Sequence, residues 1–370
     1  MVKQSIINKT DFTNFLECGA ILQIASDQFK LIWGPFCSEV ASFDTMSEVR
    51  TAIYKPDFWD FTDSDQTKKT FFYGTKESIV DRASVLELLS QVEAEALNVQ
   101  WGLVSESEFK QQYQWSQAQF AANQLTKTVP IIRQSGQVQF SLKNLAQSIR
   151  SILSEKHYGT TFGFWQNGGG FFGHTPELIL NWSQDDQKLK TMALAGTMVR
   201  EKENSLKILS DAKILAEHQI VVNDLVNVLS EVNSERKIKV ELLEVLELKY
   251  LCHLKTEISV GDVNFQQAQN NLFQIHPTAA LGLFPRSKAA YDYFKKYPIQ
   301  ENRKNFAAPF SFINKNSIKA IAAIRVLFFS KTEVIIYSGC GVTAESNLND
   351  EIIELENKRN SVKKMMGLNL

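Results

Sequence analysis

The chain has 370 residues, of which 44% are apolar and 22% are charged, and its formal net charge is −1. This composition excludes disordered and fibrous proteins and allows a large buried core. Lysine and arginine are spread along the chain without a basic block, so we expect no nucleic-acid partner.

The sequence carries no pattern typical of secretion or membrane insertion. Residues 1–15 lack an apolar signal-peptide core, and the most apolar stretch, 318–329, contains Lys319 and Arg325. The four cysteines are far apart and form no CxxC pair, which favours neither a zinc site nor a disulfide framework. We therefore expect a cytoplasmic protein without a membrane partner.

The first third of the chain has mixed patterns and no motif that indicates a function. Short apolar runs at 20–25 and 29–33 predict strands, and 78–95 has helical spacing. The polar stretches 62–70 and 105–119 predict loops or solvated helices.

The predicted elements are clearer from Thr126 onwards. Ser141 is a good N-cap for a helix over 141–153, and residues 160–180 read as strands on both sides of a glycine turn. Sustained i, i+3, i+4 apolar spacing predicts one long helix over 205–232. Further predicted elements are strands at 129–132, 320–329 and 334–338, a strand ending at 194–197, and helices at 288–296 and from Leu348.

Strands in hairpins with long helices between them indicate an α+β fold rather than a regular parallel sheet. We treat 1–120 as an N-terminal scaffold part of the fold and 121–370 as the catalytic module, together forming one continuous structural unit. Gly168, Gly170 and Gly173 satisfy the GxGxxG pattern of dinucleotide-binding proteins, but a second strand follows them instead of a helix. We interpret them as a hairpin turn.

Two carboxylates and an ammonium share one face of the last predicted helix, because Glu351, Glu354 and Lys358 are spaced at i, i+3 and i+7. Such a face is usually a solvated surface. Here, however, a strand and a glycine-rich turn over 337–346 precede the helix and offer free N–H groups to an anion. Carboxylates beside an anion site suggest a hard cation between them, and oxygen ligands suit Mg²⁺.

Six motifs then occur in the order and approximate spacing of the chorismate-utilising family, which the sequence resembles from Lys127 to the C-terminus. They are LAGT at 194–197, AEH at 216–218, HLKT at 253–256, HPTAALGLFP at 276–285, IR at 324–325 and SGCGVTAESNLNDEIIELENK at 338–358. The family includes isochorismate synthase, salicylate synthase, anthranilate synthase component I and aminodeoxychorismate synthase. The resemblance implies large, mostly antiparallel sheets packed against outer helices.

The resemblance also implies how the small dicarboxylate chorismate is held. Glu217 and Glu354 would bind Mg²⁺, which holds the ring carboxylate, and Glu351 would lie close by, linked through water. Arg325 would bind the enolpyruvyl carboxylate, because a guanidinium matches a planar carboxylate. Further implied binding groups are the N–H groups around Gly339 and Gly341, the ammonium of Lys358, and the pocket-lining residues Thr197, His253 and Thr278. A structural role remains open for His253 and for His218.

The reaction depends on the group that activates the nucleophile. Family members that work through a covalent lysine carry it at the position of Ala195. Alanine cannot act as that nucleophile. The isochorismate branch uses a lysine as base and a glutamate in an S/T-P-E segment as acid, and Lys127 and Glu177 match these positions. The resemblance therefore implies addition of water at C2, activated by Lys127, with Glu177 protonating the departing C4 hydroxyl. Burial favours the neutral form of both groups.

Alternatives remain open because the sequence departs from the family pattern. Pro130 interrupts the segment after Lys127, and Phe306, Ala308 and Ser311 replace an expected tyrosine and two glycines. We keep three: a salicylate synthase, a degenerate chorismate-binding protein, and an ammonia-using anthranilate or aminodeoxychorismate type. The last would need an amidotransferase subunit or free ammonium.

Overall fold

The computed structural model describes residues 7–41, 50–62, 68–200, 205–249 and 251–370. Two large antiparallel sheets form the frame of the protein, with helices packed against them, so the predicted fold class is confirmed. Within the described residues, no helix has the length and apolarity needed to cross a bilayer.

The first sheet has nine strands in the described part of the chain. In spatial order they are β6 (Lys76–Asp81), β2 (Gln28–Trp33), β1 (Gly19–Ala25), β9 (Thr160–Gln166), β10 (Gly169–Thr175), β18 (Val326–Phe329), β19 (Glu333–Gly339), β8 (Ile131–Gln137) and β7 (Gln100–Trp101).

The second sheet has ten strands in the described part of the chain. One of them, β14 (Glu244–Glu247), pairs with β15 (Leu251–Val260). The remaining strands in spatial order begin with β13 (Ile238–Val240) on one side of β15 and continue on its other side as β12 (Lys188–Val199), β11 (Leu178–Ser183), β17 (Ser317–Ala322), β16 (Pro309–Asn314), β4 (Ala52–Tyr54), β5 (Lys69–Tyr73) and β3 (Cys37–Ala41).

Both sheets contain strands from the first and the last parts of the chain. In the first sheet β1 pairs with β9, and in the second sheet β4 pairs with β16. The first 120 residues therefore complete the two sheets on which the later motifs are placed.

The strands alternate their side chains between two apolar cores, as period 2 requires. In β1, Ala20 and Leu22 belong to the core shared with the second sheet, whereas Ile21 faces a separate core. The separate core is covered by helices α1 (Lys9–Glu17), α2 (Arg82–Ser90) and α4 (Leu142–Leu153). Helices α5 (Ala212–Val232) and α6 (Phe265–Ile275) pack against the second sheet.

The helices of the second half mostly match their predicted positions. Ser141 is the N-cap of α4 as predicted, and its backbone N–H donates to Oδ1 of Asn144 at 2.9 Å, which completes a capping box. The other described helices are α3 (Ser107–Ala121), α7 (Lys288–Phe294), α8 (Pro298–Glu301) and α9 (Leu348–Met365), with 3₁₀ turns at Phe58–Thr62 and Ser205–Ser210.

Two helix predictions were wrong in their first turns. Residues 78–81 of the predicted helix 78–95 lie in β6 and pair with β2, because a sheet partner outweighs weak helical spacing. The helix α2 also ends earlier than predicted, at Ser90, so residues 91–95 are not helical. The helix predicted over 205–232 begins only at Ala212. Asp211 caps it by accepting the N–H of Ile214 at 3.0 Å. Of the predicted polar stretch 62–70, residues 63–67 lie outside the described part of the chain.

The strand predicted over 320–329 is two strands that belong to different sheets. β17 ends at Ala322 in the second sheet, and β18 begins at Val326 in the first. Arg325 stands in the crossing with φ of 52°, a left-handed conformation that is uncommon outside glycine and is found at functional sites. The crossing brings Arg325 to the gap between the two sheets.

Candidate active site

A pocket at this gap collects most of the residues predicted from the motifs. The predicted residues that line it are Lys127, Glu177, Thr197, Glu217, His253, Arg325, Gly339, Gly341, Glu354 and Lys358. Glu351 lines an adjoining cleft together with Glu217 and Glu354. Thr278 is buried but does not line the pocket, whereas Ala280 and Leu281 do. The structure thus brings most of the set together in one pocket, and the individual roles stay predictions.

Lys127 is fixed in place by its backbone and by its ammonium group. Its N–H and C=O both pair with Phe284, and its side chain is 1% exposed. Nζ donates to the carbonyl oxygen of Ala279 at 2.8 Å and lies 3.4 Å from Oε1 of Glu217. This is a buried amine held beside a carboxylate in the pocket wall.

Glu177 follows the second strand of the predicted glycine hairpin. Asn167 and Gly168 form the turn with φ values of 55° and 76°, which confirms the hairpin interpretation of the glycine pattern. Burial raises the pKa of the Glu177 carboxyl to about 7, although the positive charges of Lys127 and Lys358 oppose the rise. Glu177 can therefore carry a proton near neutral pH.

Each of the three predicted metal ligands has a lysine partner. Glu217 lies beside Lys127, Glu354 pairs with Lys358 at 2.6 Å, and Glu351 pairs with Lys213 at 2.9 Å. Burial raises the pKa of Glu217; Lys127 opposes this rise, and the charges of Glu354 and Glu351 add to it. The three carboxylates are therefore close enough to repel one another.

These carboxylates fit a magnesium ion in their chemistry. Among the described residues, no group of three or more His, Cys, Asp or Glu side chains is arranged to enclose a metal ion. Mg²⁺ does not require such a cage, because it keeps several waters and is usually held by one or two carboxylates together with its substrate. Mutually repelling oxygen donors that share one cleft are suitable for that mode of binding.

The cationic side of the pocket carries Arg325 and Lys358. Arg325 Nη1 donates to the hydroxyl of Ser361 at 2.6 Å, and Lys358 Nζ donates to the carbonyl oxygen of Gly339 at 2.8 Å. Burial lowers the pKa of the Arg325 guanidinium to about 10, and the charge of Glu354 opposes that shift. Arg325 stays charged at neutral pH and is suited to a carboxylate ligand.

The LAGT segment contains a bulge that aims Thr197 at His253. The pairing of β12 with β15 shifts register between Ala195 and Thr197, and Gly196 takes a φ of 78° there. Thr197 Oγ1 lies 3.1 Å from His253 Nδ1. Burial, followed by the charges of Arg325 and Lys358, holds the pKa of His253 well below its usual range, so the ring is neutral.

His218 has a structural role in this arrangement. Its Nδ1 lies 3.3 Å from the carbonyl oxygen of Ala195, and its Nε2 lies 2.9 Å from Oγ1 of Thr256. Both ring nitrogens are therefore used to tie α5 to β12 and β15. This contact fixes the helix that carries Glu217.

Several pocket residues were missed by the sequence analysis, and Arg303 is the most informative. It is fully buried, its guanidinium carbon lies 3.5 Å above the ring of Phe58, and its Nε donates to the carbonyl oxygen of Phe306 at 3.2 Å. Phe306 in turn stacks on Tyr337 with ring centroids 5.2 Å apart. Arg303 stands three residues before Phe306, which the sequence already marks as a departure from the family pattern. This closeness in sequence was the signal that could have identified Arg303 as a pocket residue.

Comparison with known proteins gives these features a family context. A model of the chorismate binding enzyme family matches residues 64–367. Isochorismate synthase MenF of Bacillus subtilis is 28% identical over 227 residues, which cover 59% of this chain and 46% of that protein. Anthranilate synthase component 1 of Neisseria meningitidis is 25% identical over 252 residues, covering 65% and 49%. The chain thus spans about half the length of these curated relatives.

Solved structures share the fold over almost the whole chain. The structure named as the 2,3-dihydroxybenzoate-specific isochorismate synthase DhbC of Bacillus anthracis has a TM-score of 0.77 at 18% identity and covers 96% of this chain and 97% of its own. MenF of Escherichia coli gives 0.73 at 16% identity, covering 94% and 88%. At these identities the likeness establishes the fold. Because the family model matches most of its length, the chain belongs to the chorismate-binding enzyme family.

Proposed function

We propose that this protein converts chorismate to isochorismate. The observation that carries the proposal is the presence in one pocket of buried Lys127, buried Glu177 with a pKa of about 7, and the cationic groups of Arg325 and Lys358. These groups would supply a base, a proton donor and the positive charge that a dicarboxylate substrate requires. The names of the isochorismate synthase relatives agree with this reaction.

The charges of the pocket match those of chorismate. Arg325 binds the enolpyruvyl carboxylate, and Lys358 adds positive charge beside it. Glu217 and Glu354 would hold Mg²⁺, with Glu351 nearby, and the bound cation would neutralise and orient the ring carboxylate. The neutral ring of His253 and the hydroxyl of Thr197 line the remaining wall without adding charge.

The proposed reaction exchanges one water molecule for another. The step starts from Lys127 as a neutral amine, after its proton has been released. This amine accepts a proton from water as the water oxygen forms a bond to C2 of the ring, and the ring double bonds shift. Glu177 gives its proton to the C4 hydroxyl, which leaves as water. Atoms and charge balance, since one proton enters Lys127 and another leaves Glu177.

An ammonia-using reaction is the second candidate, because an anthranilate synthase component is among the relatives of this chain. In that reaction ammonia replaces water at C2, and an amidotransferase subunit or free ammonium supplies it. Salicylate synthesis would add loss of pyruvate. A degenerate binding protein would hold chorismate without turnover.

One assay separates these functions. Purified protein is incubated with chorismate and Mg²⁺, with and without ammonium, and the products are resolved by chromatography. Isochorismate formed without ammonium would support the proposal. Salicylate with pyruvate, product only with ammonium, or binding without product would each replace it with the corresponding alternative.

Gly341→Ala should impair the site without unfolding the protein. A Cβ at this position would meet the carboxylate of Glu217 and lie 2.8 Å from Lys127 Nζ. Such overpacking costs about 1–3 kcal/mol. Because the displaced groups are Glu217 and Lys127 themselves, a loss of that size in transition-state stabilisation would lower kcat/KM for chorismate by about five- to 150-fold. Gly261→Ala is the matched control, because a Cβ there meets nothing within 4 Å. Equal kcat/KM values for the two variants would contradict the close approach.

A further inference from the structure

An acidic cleft adjoins the pocket on the side of the predicted metal ligands. It is lined by Asp211, Glu217, Asp350, Glu351 and Glu354, with Lys213 as the cation among its described lining residues. Asp211 is already used as the N-cap of α5. The cleft therefore presents a strong excess of negative charge with one ammonium placed inside it.

Lys213 is held on the most buried of these carboxylates. Its Nζ lies 2.9 Å from Oε1 of Glu351, and the Glu351 side chain is 3% exposed, whereas that of Lys213 is 32% exposed. A buried carboxylate needs a counter-charge, and Lys213 supplies it from the more exposed side. Burial alone would lower the pKa of Lys213, but Glu351, then Glu217 and Glu354, raise it above its ordinary value.

We propose that Lys213 is a resident counter-ion that occupies Glu351, keeps this carboxylate from coordinating the divalent cation directly, and so lowers the affinity of the site for the metal. This inference rests on the proposed metal site of Glu217 and Glu354. Glu217 and Glu354 also have lysine partners, but Lys127 and Lys358 line the substrate pocket, whereas Lys213 lines the cleft with Glu351. With Glu351 occupied, the ion would be held by Glu217 and Glu354, and two carboxylates is a number that Mg²⁺ commonly uses.

The expected effect follows from charge and ligand number. Removing Lys213 releases Glu351 and takes away a positive charge that repels the incoming cation. Because Lys213 is partly exposed, water and salt screen its charge, which limits the gain. We expect Lys213→Gln to bind a divalent cation on the order of tenfold more tightly than the wild type.

Mn²⁺ is a suitable probe, because its free form is measured directly by electron paramagnetic resonance during titration of the protein without chorismate. Lys213→Gln should lower the Kd for Mn²⁺, and Lys213→Arg should restore it, since arginine keeps the charge. Lys239→Gln is the matched control, because Lys239 pairs with Glu241 at 2.6 Å on an exposed surface. Its Kd should equal that of the wild type.

An unchanged or higher Kd for Lys213→Gln would overturn the inference, as would the absence of Mn²⁺ binding by both proteins. In a Glu351→Gln background, Lys213→Gln should lose most of its effect; a full effect there would show that Lys213 does not act through Glu351. The product assay is independent. A tighter Kd without isochorismate would reject the proposed reaction alone, and isochorismate with an unchanged Kd would reject the role of Lys213 alone.

Discussion

Lys127→Ala should reduce kcat for isochorismate formation by about 10²- to 10⁴-fold, the usual contribution of a general base. The amine lies in the pocket wall, 1% exposed, with its backbone paired to Phe284 on both sides. No water-activating group would remain at that position in the variant. The measurement is kcat at saturating chorismate and Mg²⁺, because loss of the positive charge beside Glu217 would also change the affinities for the substrate and the cation.

Two controls separate a lost base from a damaged fold. Lys319→Ala removes a lysine of the second sheet that does not line the pocket and should keep wild-type turnover. A small primary amine such as methylamine should restore part of the activity of Lys127→Ala by occupying the space of the lost ammonium. Wild-type turnover in Lys127→Ala would remove Lys127 as the base.

Local signals were sufficient for many elements of the fold. Ser141 and the Asn167–Gly168 turn each specify their structure within a few residues, and both predictions are confirmed. Helical spacing predicted the shared face of α9, and the glycine-rich turn before the helix indicated a site there. This face places Glu354 and Lys358 in the pocket. Residues of this kind are predictable because neighbouring residues in the sequence determine their positions.

The features that could not be predicted from the sequence depend on contacts between residues that are distant in the chain. The periodicity of 320–329 does not reveal that the chain leaves one sheet and joins the other, so the unusual backbone of Arg325 was not foreseen. Arg303 reaches the pocket through contacts with Phe58, which is distant in sequence. The burial that raises the pKa of Glu177 is likewise produced by both sheets together.

Glu177→Gln should also nearly abolish turnover, by about 10²- to 10⁴-fold, because an amide cannot protonate the departing hydroxyl. The wild type needs the protonated acid, whose pKa is raised to about 7. Ionisation of Glu177 should therefore make kcat decline as the pH rises through that value. The residual rate of the variant should lack this decline. A wild-type rate without a decline above pH 7 would argue against Glu177 as the acid.

Glu177→Gln should lower turnover but raise the stability of the protein relative to the wild type at high pH. The pKa of Glu177 is raised from 4.5 to about 7, so the folded chain keeps a proton that the unfolded chain loses between these pH values. Wild-type stability from this group is complete below pH 4.5 and falls as the pH rises to 7, by up to about 3 kcal/mol. Glutamine does not ionise and avoids that loss. Urea unfolding at pH 5 and pH 8 should therefore show Glu177→Gln gaining stability relative to the wild type at the higher pH. An equal difference at both pH values would mean that the carboxyl is not desolvated in the folded protein, and Glu177 would then lack the raised pKa on which its role as proton donor depends.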